Sequence, residues 1–263
     1  MMQTAEQIVQ EPRLRHALTE LLYQLADDEL CLGHRDSEWL GLAPDIEGDV
    51  AFSSIAQDEV GHAVFYLERL HELGEAKPDQ LAFFRGPGER RNAILLEQPN
   101  GDWARTIVRH FLYDIFDDIR MEALLQSSFH SLAQGVVKIR REEHYHLLHH
   151  KMWFTRLAQA GGEARQRMEQ AVSEVWMEVG GLFSLGEVEE EMLHYGLIAC
   201  GSEGLAQRWA ERMRPLFDEA GLNWPGMPVK PKRDGRKGEH TKDLERLIQT
   251  MSEVVGSDPD AQW

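Results

Sequence analysis

Four long segments of this 263-residue chain repeat apolar residues at helical spacing, and every one of the four stripes is interrupted by acidic residues or histidines. The first segment, about Arg13–Leu32, carries Leu14, Leu18, Leu21, Leu25 and Leu32, with Glu29 on the same face. The second, about Val50–Leu73, carries Phe52, Ile55, Ala56, Ala63, Tyr66 and Leu70, with Glu59 and His62 among them. A third helix is predicted after Asp102 as N-cap, and its stripe of Trp103, Ile107, Phe111, Met121 and Leu125 includes Asp114 and Asp118. The fourth runs Leu132, Val136, Ile139, Trp153 and Leu157, with Glu143, His146 and His150 in phase, and stops before Gly161-Gly162. Helices of this kind must bury their stripes against one another, which brings the polar residues into the core with the apolar ones. Buried carboxylates are costly unless they are paired, protonated or bound to a cation.

Glu59-x-x-His62 and Glu143-x-x-His146 give the pattern a specific form. A Glu and a His three residues apart lie one turn apart on one helix face, where both reach the same ion. The motif alone is weak: 29 Glu and 12 His in 263 residues produce about one Glu-x-x-His by chance, and four are present. Helical phase separates them. Glu68 lies nine residues beyond Glu59, so at about 100° per residue Glu68-x-x-His71 faces away from the stripe. Glu191-x-x-His194 lies between Gly186 and Gly196 with no second half to complete a site.

Bundles that hold two irons or two manganeses use one carboxylate from each of two helices and a Glu-x-x-His pair from each of the other two. Glu29, Glu59, His62, Asp114, Glu143 and His146 are that set, and they are the predicted metal ligands. The spacing repeats: Glu29 to Glu59 is 30 residues and Asp114 to Glu143 is 29, so the chain reads as two similar hairpins. Hard oxygen donors offset the ionic charge, and the imidazoles leave positions open for O₂. Asp118 and His150 are expected to bond to ligands rather than to metal. Tyr66, one turn after His62, is expected to pack.

Glycines and prolines from Gly74 to Gly101 mark a long crossover with short apolar pieces. A fifth amphipathic helix is predicted from Met168, Val172, Val175, Trp176, Val179 and Phe183, and shorter ones near Glu203–Ala220 and Asp243–Val255. The expected organisation is a single all-α domain: a ferritin-like four-helix bundle over about residues 13–160, with additional C-terminal helices in an extension over about 165–263. A net charge of −17 excludes nucleic acid as the main partner. The one basic run, Lys230, Lys232, Arg233, Arg236 and Lys237, is read as a solvated loop, with steering of a phosphate-bearing substrate or an acidic partner as the alternative. No segment reaches membrane-spanning length and the N-terminus lacks a signal-peptide pattern, so a cytoplasmic protein without a membrane partner is expected. Cys31 and Cys200 are expected as buried thiols of a reducing compartment.

The segments Gln57-Asp58-Glu59-Val60-Gly61-His62 and Arg141-Glu142-Glu143-His144-Tyr145-His146 resemble the two metal motifs of the bacterial phenylacetyl-CoA epoxidase family, whose catalytic and structural subunits are ferritin-like paralogues. Leu95–Gly101, Gly238–Thr241 and the Gln262-Trp263 end resemble the structural, C-type subunit, and the similarity covers about residues 20–263. The resemblance implies a subunit of a ring-epoxidising complex in phenylacetate catabolism, with two irons, a paralogous ferritin-like partner, a reductase that delivers electrons from NADPH, and a CoA thioester substrate. Familiar C-type subunits have lost metal ligands and act as scaffolds, whereas all six positions are kept here. A non-catalytic scaffold is therefore the alternative expectation. A ferritin-like ferroxidase would share the ligands without needing the residues after Gly161, and a radical-bearing reductase subunit would make Tyr66 the carrier.

Overall fold

The computed structural model describes residues 3–258, so the Gln262-Trp263 end lies outside the described residues. Among them the chain forms α1 (Ala5–Val9), α2 (Pro12–Ser37), α3 (Ile46–Glu72), α4 (Pro78–Phe83), α5 (Ile94–Glu97), α6 (Trp103–Leu124), α7 (His130–Gln159), α8 (Gly162–Val179), α9 (Glu189–His194), α10 (Ser202–Ala220) and α11 (Lys242–Ser257). The extended backbone is confined to an isolated bridge between Gln3 and Phe129. The fold class is all-α and ferritin-like, with helices added after the four that the apolar stripes predict.

The ends of those helices follow local chemistry. Asp102 caps α6 by accepting from the Arg105 N–H at 2.9 Å, as expected. Helix α3 begins four residues earlier than its stripe suggests, because the Asp45 side chain accepts from the Gly48 N–H at 2.7 Å and starts the helix outside the apolar run. In α10 the chain leaves through Gly221 at φ 70°, a left-handed C-cap that glycine adopts without strain.

Contacts divide the chain into two compact units. One contains Ala5–Pro99 and residues 233–258; the other contains residues 3–4 and Asn100–Lys232. Of the helices after Gly161, α8 to α10 belong with α6 and α7, while α11 belongs with α2 and α3.

In the first unit α2 and α3 form an antiparallel hairpin, with Arg15 and Tyr23 near Glu75 at one end and Gly33 against Ala56 and Val60 at the other. Leu18, Leu21, Leu22, Leu25, Phe52, Ile55, Tyr66 and Leu70 fill the core between them, each worth about 1.5–3 kcal/mol on full burial. Gly33 permits the close approach. A Cβ there would lie 2.8 Å from Val60 Cγ2 and 3.2 Å from the Ala56 carbonyl oxygen, one turn from Glu29. Helices α4, α5 and α11 pack on this hairpin, and Ser252 Oγ donates to the Phe83 carbonyl at 2.7 Å.

In the second unit α6 and α7 are antiparallel, with Trp103 beside Trp153 towards one end and Asp118 paired with Arg140 towards the other. Helix α6 is buried on nearly all sides because α8 and α10 also pack against it. Trp209 of α10 donates its indole N–H to the Leu112 carbonyl at 3.0 Å and joins an aromatic cluster with Trp176, Phe217 and Trp224. The Pro-rich loop after Trp224 lies directly on the chain at Gly180, where a Cβ would come within 2.0 Å of the Val229 carbonyl oxygen.

Two expectations need correction. Cys31 is buried, and its burial pushes the thiol pKa well up, but Cys200 is only half-buried. The basic run is not uniformly solvated either: Lys230, Lys232, Arg233 and Lys237 are exposed, whereas Arg236 is 2 % exposed and paired with Asp28.

Candidate metal centre

Three consecutive acids, Asp27, Asp28 and Glu29, are all buried on α2, and the 100° step of the helix sends each in a different direction. Asp27 accepts from Arg85, from Arg90 at 3.2 Å and from the Arg91 backbone N–H at 2.8 Å. Burial would raise its carboxyl pKa, but the two guanidiniums outweigh that and hold it below the usual carboxylate range. Asp28 receives Arg236 through both oxygens, at 2.7 and 2.8 Å, and the Ala93 N–H at 2.9 Å. Glu29 turns to α3, where His62 Nδ1 lies 3.5 Å from Glu29 Oε2 and 3.9 Å from Glu59 Oε2.

All three residues of this group are at least nine-tenths buried, and one ligand atom from each lies within 4.8 Å of the others. Donors that share an ion at about 2.0–2.2 Å lie roughly 3–3.5 Å apart, so the spacing suits a common cation. Carboxylate oxygen with imidazole nitrogen is the donor chemistry of iron, manganese and zinc. The donor set and spacing of these residues therefore suit a transition metal.

The second unit supplies Asp114 from α6 and Glu143 with His146 from α7, all buried. His146 Nδ1 is 3.3 Å from Glu143 Oε1, one turn apart as the motif requires. Asp114 Oδ2 lies 2.7 Å from His150 Nδ1, so these two buried stripe residues bond to each other. Burial lowers the His150 pKa well below the ordinary histidine value, and His110, His149, His146 and Arg109 push the same way. Asp118, the other aspartate of the predicted stripe, has a different function: it is half-buried and pairs with Arg140 and Arg212 beside Glu122.

Sequence reasoning passed over His110. It lies four residues before Asp114, fully buried, with its ring stacked on His150 at 4.5 Å between centroids and 20° between planes. The i, i+4 spacing of His110 and Asp114 was the available clue. It also passed over Glu97, which is fully buried and accepts from Asn92 at 3.0 Å and from both the backbone N–H and the hydroxyl of Thr241 at 2.7 Å, with His240 Nδ1 also at 2.7 Å. Two segments singled out by resemblance, around Leu95 and around Gly238, thus meet in one buried polar cluster. The discarded pairs stay outside: Glu68, His71 and His194 are exposed.

Comparison with known proteins agrees with this architecture. The chain is 33 % identical over 247 residues to the C-type subunit of 1,2-phenylacetyl-CoA epoxidase from Escherichia coli K12, covering 94 % of this chain and 99 % of the relative. It is 22 % identical over 215 residues to the A-type subunit of the same organism's epoxidase, covering 80 % of this chain and 69 % of the relative. The sequence pattern of the phenylacetic acid catabolic protein family matches residues 1–263, and the chain belongs to that family.

Proposed function

We propose that this chain is a subunit of a phenylacetyl-CoA-type ring epoxidase in phenylacetate catabolism, and that it carries a carboxylate-bridged dinuclear centre. Glu29, Glu59, His62, Asp114, Glu143 and His146 would hold two irons, or two manganeses, within one ferritin-like domain. The observation that carries this reading is the buried Glu29, Glu59 and His62 group, with carboxylate and imidazole atoms 3.5–3.9 Å apart in a helical core. When bound, the metals would supply O₂ activation for ring epoxidation. The chain's own residues fix the ligands: Gly33 lets α3 approach Glu29, Asp28 and Arg236 anchor the neighbouring turn of α2, and His150 supports Asp114. The apolar core around the site excludes water.

In this reading the partners are a paralogous ferritin-like subunit, a reductase and a CoA thioester, and the compartment is the cytoplasm. Among the described residues no helix is long and apolar enough to cross a membrane. A second reading, a scaffold whose site serves stability alone, is favoured by the higher identity to the C-type relative than to the A-type one. Metal analysis of chain purified without chelator tests the centre: close to two irons or manganeses per chain supports it, and a chain that is metal-free and takes none up overturns it. Turnover of phenylacetyl-CoA by the reconstituted complex, lost on Glu59→Ala in this chain alone, separates the catalytic role from the scaffold.

A further inference from the structure

The carboxylate positions of the proposed ligand set are not equivalent: three are glutamates and the fourth is Asp114. An aspartate has a single torsion between Cβ and its carboxyl group, and that torsion is broad, so the plane of the carboxylate is set by whatever it bonds to. Asp114 is 4 % exposed and its bonding partner His150 is fully buried, so water does not compete for the 2.7 Å contact between Oδ2 and Nδ1. An ionised carboxylate only accepts hydrogen bonds, which places the proton on Nδ1 whatever the charge of the ring. The ring itself is held. His110 stacks on one face at 4.5 Å, and His149 meets it edge-on at 5.3 Å.

We propose that His150 is the positioning residue of the centre: its Nδ1–H fixes Oδ2 of Asp114 and so presents Oδ1 as a single-oxygen ligand, with His110 buttressing the His150 ring. This inference rests on the six-residue reading above. It makes the two metal positions unequal, because the one served by Asp114 depends on an imidazole that touches no metal.

Cobalt(II) titration of the metal-stripped chain, followed by its ligand-field absorption, is the test. The wild-type chain should bind two ions. His150→Phe keeps a ring against His110 but removes the donor; the second ion should bind about 10–100-fold more weakly, with an altered band, while the first is unchanged. His150→Gln, which keeps an N–H donor, should recover part of the loss, and His150→Phe should add nothing in an Asp114→Ala background. Unchanged second-ion affinity in His150→Phe, or losses that simply add in the double variant, would overturn the proposal. Should His150→Phe fail to fold, His110→Leu removes only the buttress and should weaken the same ion, and no change there overturns the inference. A third cobalt that His110→Leu abolishes would make His110, Asp114 and His150 a metal site in their own right and likewise overturn it. A wild-type chain that binds no cobalt overturns the function proposed above together with this inference, whereas two tight ions in both wild type and His150→Phe overturn only the latter.

Discussion

Arg236 and Asp28, 208 residues apart, form a two-pronged ion pair with both side chains almost wholly buried, and Asp28 is the immediate neighbour of the proposed ligand Glu29. A carboxylate and a guanidinium taken out of water are tolerated only as a pair, with their remaining hydrogen-bonding capacity met nearby. Here the Arg91 carbonyl accepts from Arg236 at 2.8 Å and the Ala93 N–H donates to Asp28 at 2.9 Å.

Removing one partner should therefore cost far more than removing both. Arg236→Met is expected to lower unfolding free energy by about 3–5 kcal/mol, and the Arg236→Met, Asp28→Leu double variant to regain most of it. Denaturant titration checks this, and a double variant less stable than the single one would refute it.

Arginines at the surface should behave differently. Arg212 pairs with Asp118 and Glu122, but its side chain remains about one-third exposed. Arg212→Ala is expected to cost less than about 1 kcal/mol, and the difference should shrink in molar salt. A salt-independent loss above about 2 kcal/mol would contradict it.

Gly180 tests how closely the Pro-rich loop is held. Any Cβ there would strike the Val229 backbone, which cannot turn aside as a side chain can. Gly180→Ala should destabilise the fold by about 1–3 kcal/mol and speed proteolysis between Trp224 and Lys232. Protection equal to wild type would show that the loop does not rest there.

The thiols should separate by burial. In the native chain a thiol reagent is expected to modify Cys200 and spare Cys31 until the protein unfolds. Mass analysis of the labelled peptides decides it, and equal labelling of both would contradict the packing around α2.

Metal removal should lower thermal stability, because ligands on separate helices bind the ion only when folded. At free metal about one hundred times its dissociation constant the stabilisation is about 2.7 kcal/mol. Chelator treatment should lower the melting temperature and iron(II) or manganese(II) should restore it, whereas the Glu59→Ala, Glu143→Ala double variant should respond to neither. A wild-type melting curve indifferent to metal would count against the centre.

The four long helices were legible because amphipathic stripes carry their own period, and the burial of Glu29, Glu59, His62, Asp114, Glu143 and His146 was legible because they break those stripes in phase. What escaped depends on pairing across distance. Asp27 and Asp28 look like ordinary acids beside Glu29, since Arg85 lies 58 residues away and Arg236 lies in a run that reads as solvent-facing. Asp118 sits one turn beyond Asp114, but four residues advance the helix by about 400°, and the extra 40° or so is enough to turn it towards Arg140 and Arg212. His110 was hidden because α6 is enclosed on nearly all sides, which blurs the contrast that periodicity relies on.

The interleaving of the two units sets a timetable for biosynthesis. Helix α2 leaves the ribosome early, but Asp28 cannot meet Arg236 until 208 more residues have been made, a wait of about 10–40 s at about 5–20 residues per second. Throughout that interval the nascent α2–α3 hairpin carries an acid beside Glu29 whose guanidinium partner is still to be made, so the first unit becomes fully native only after residues 233–258 have been translated.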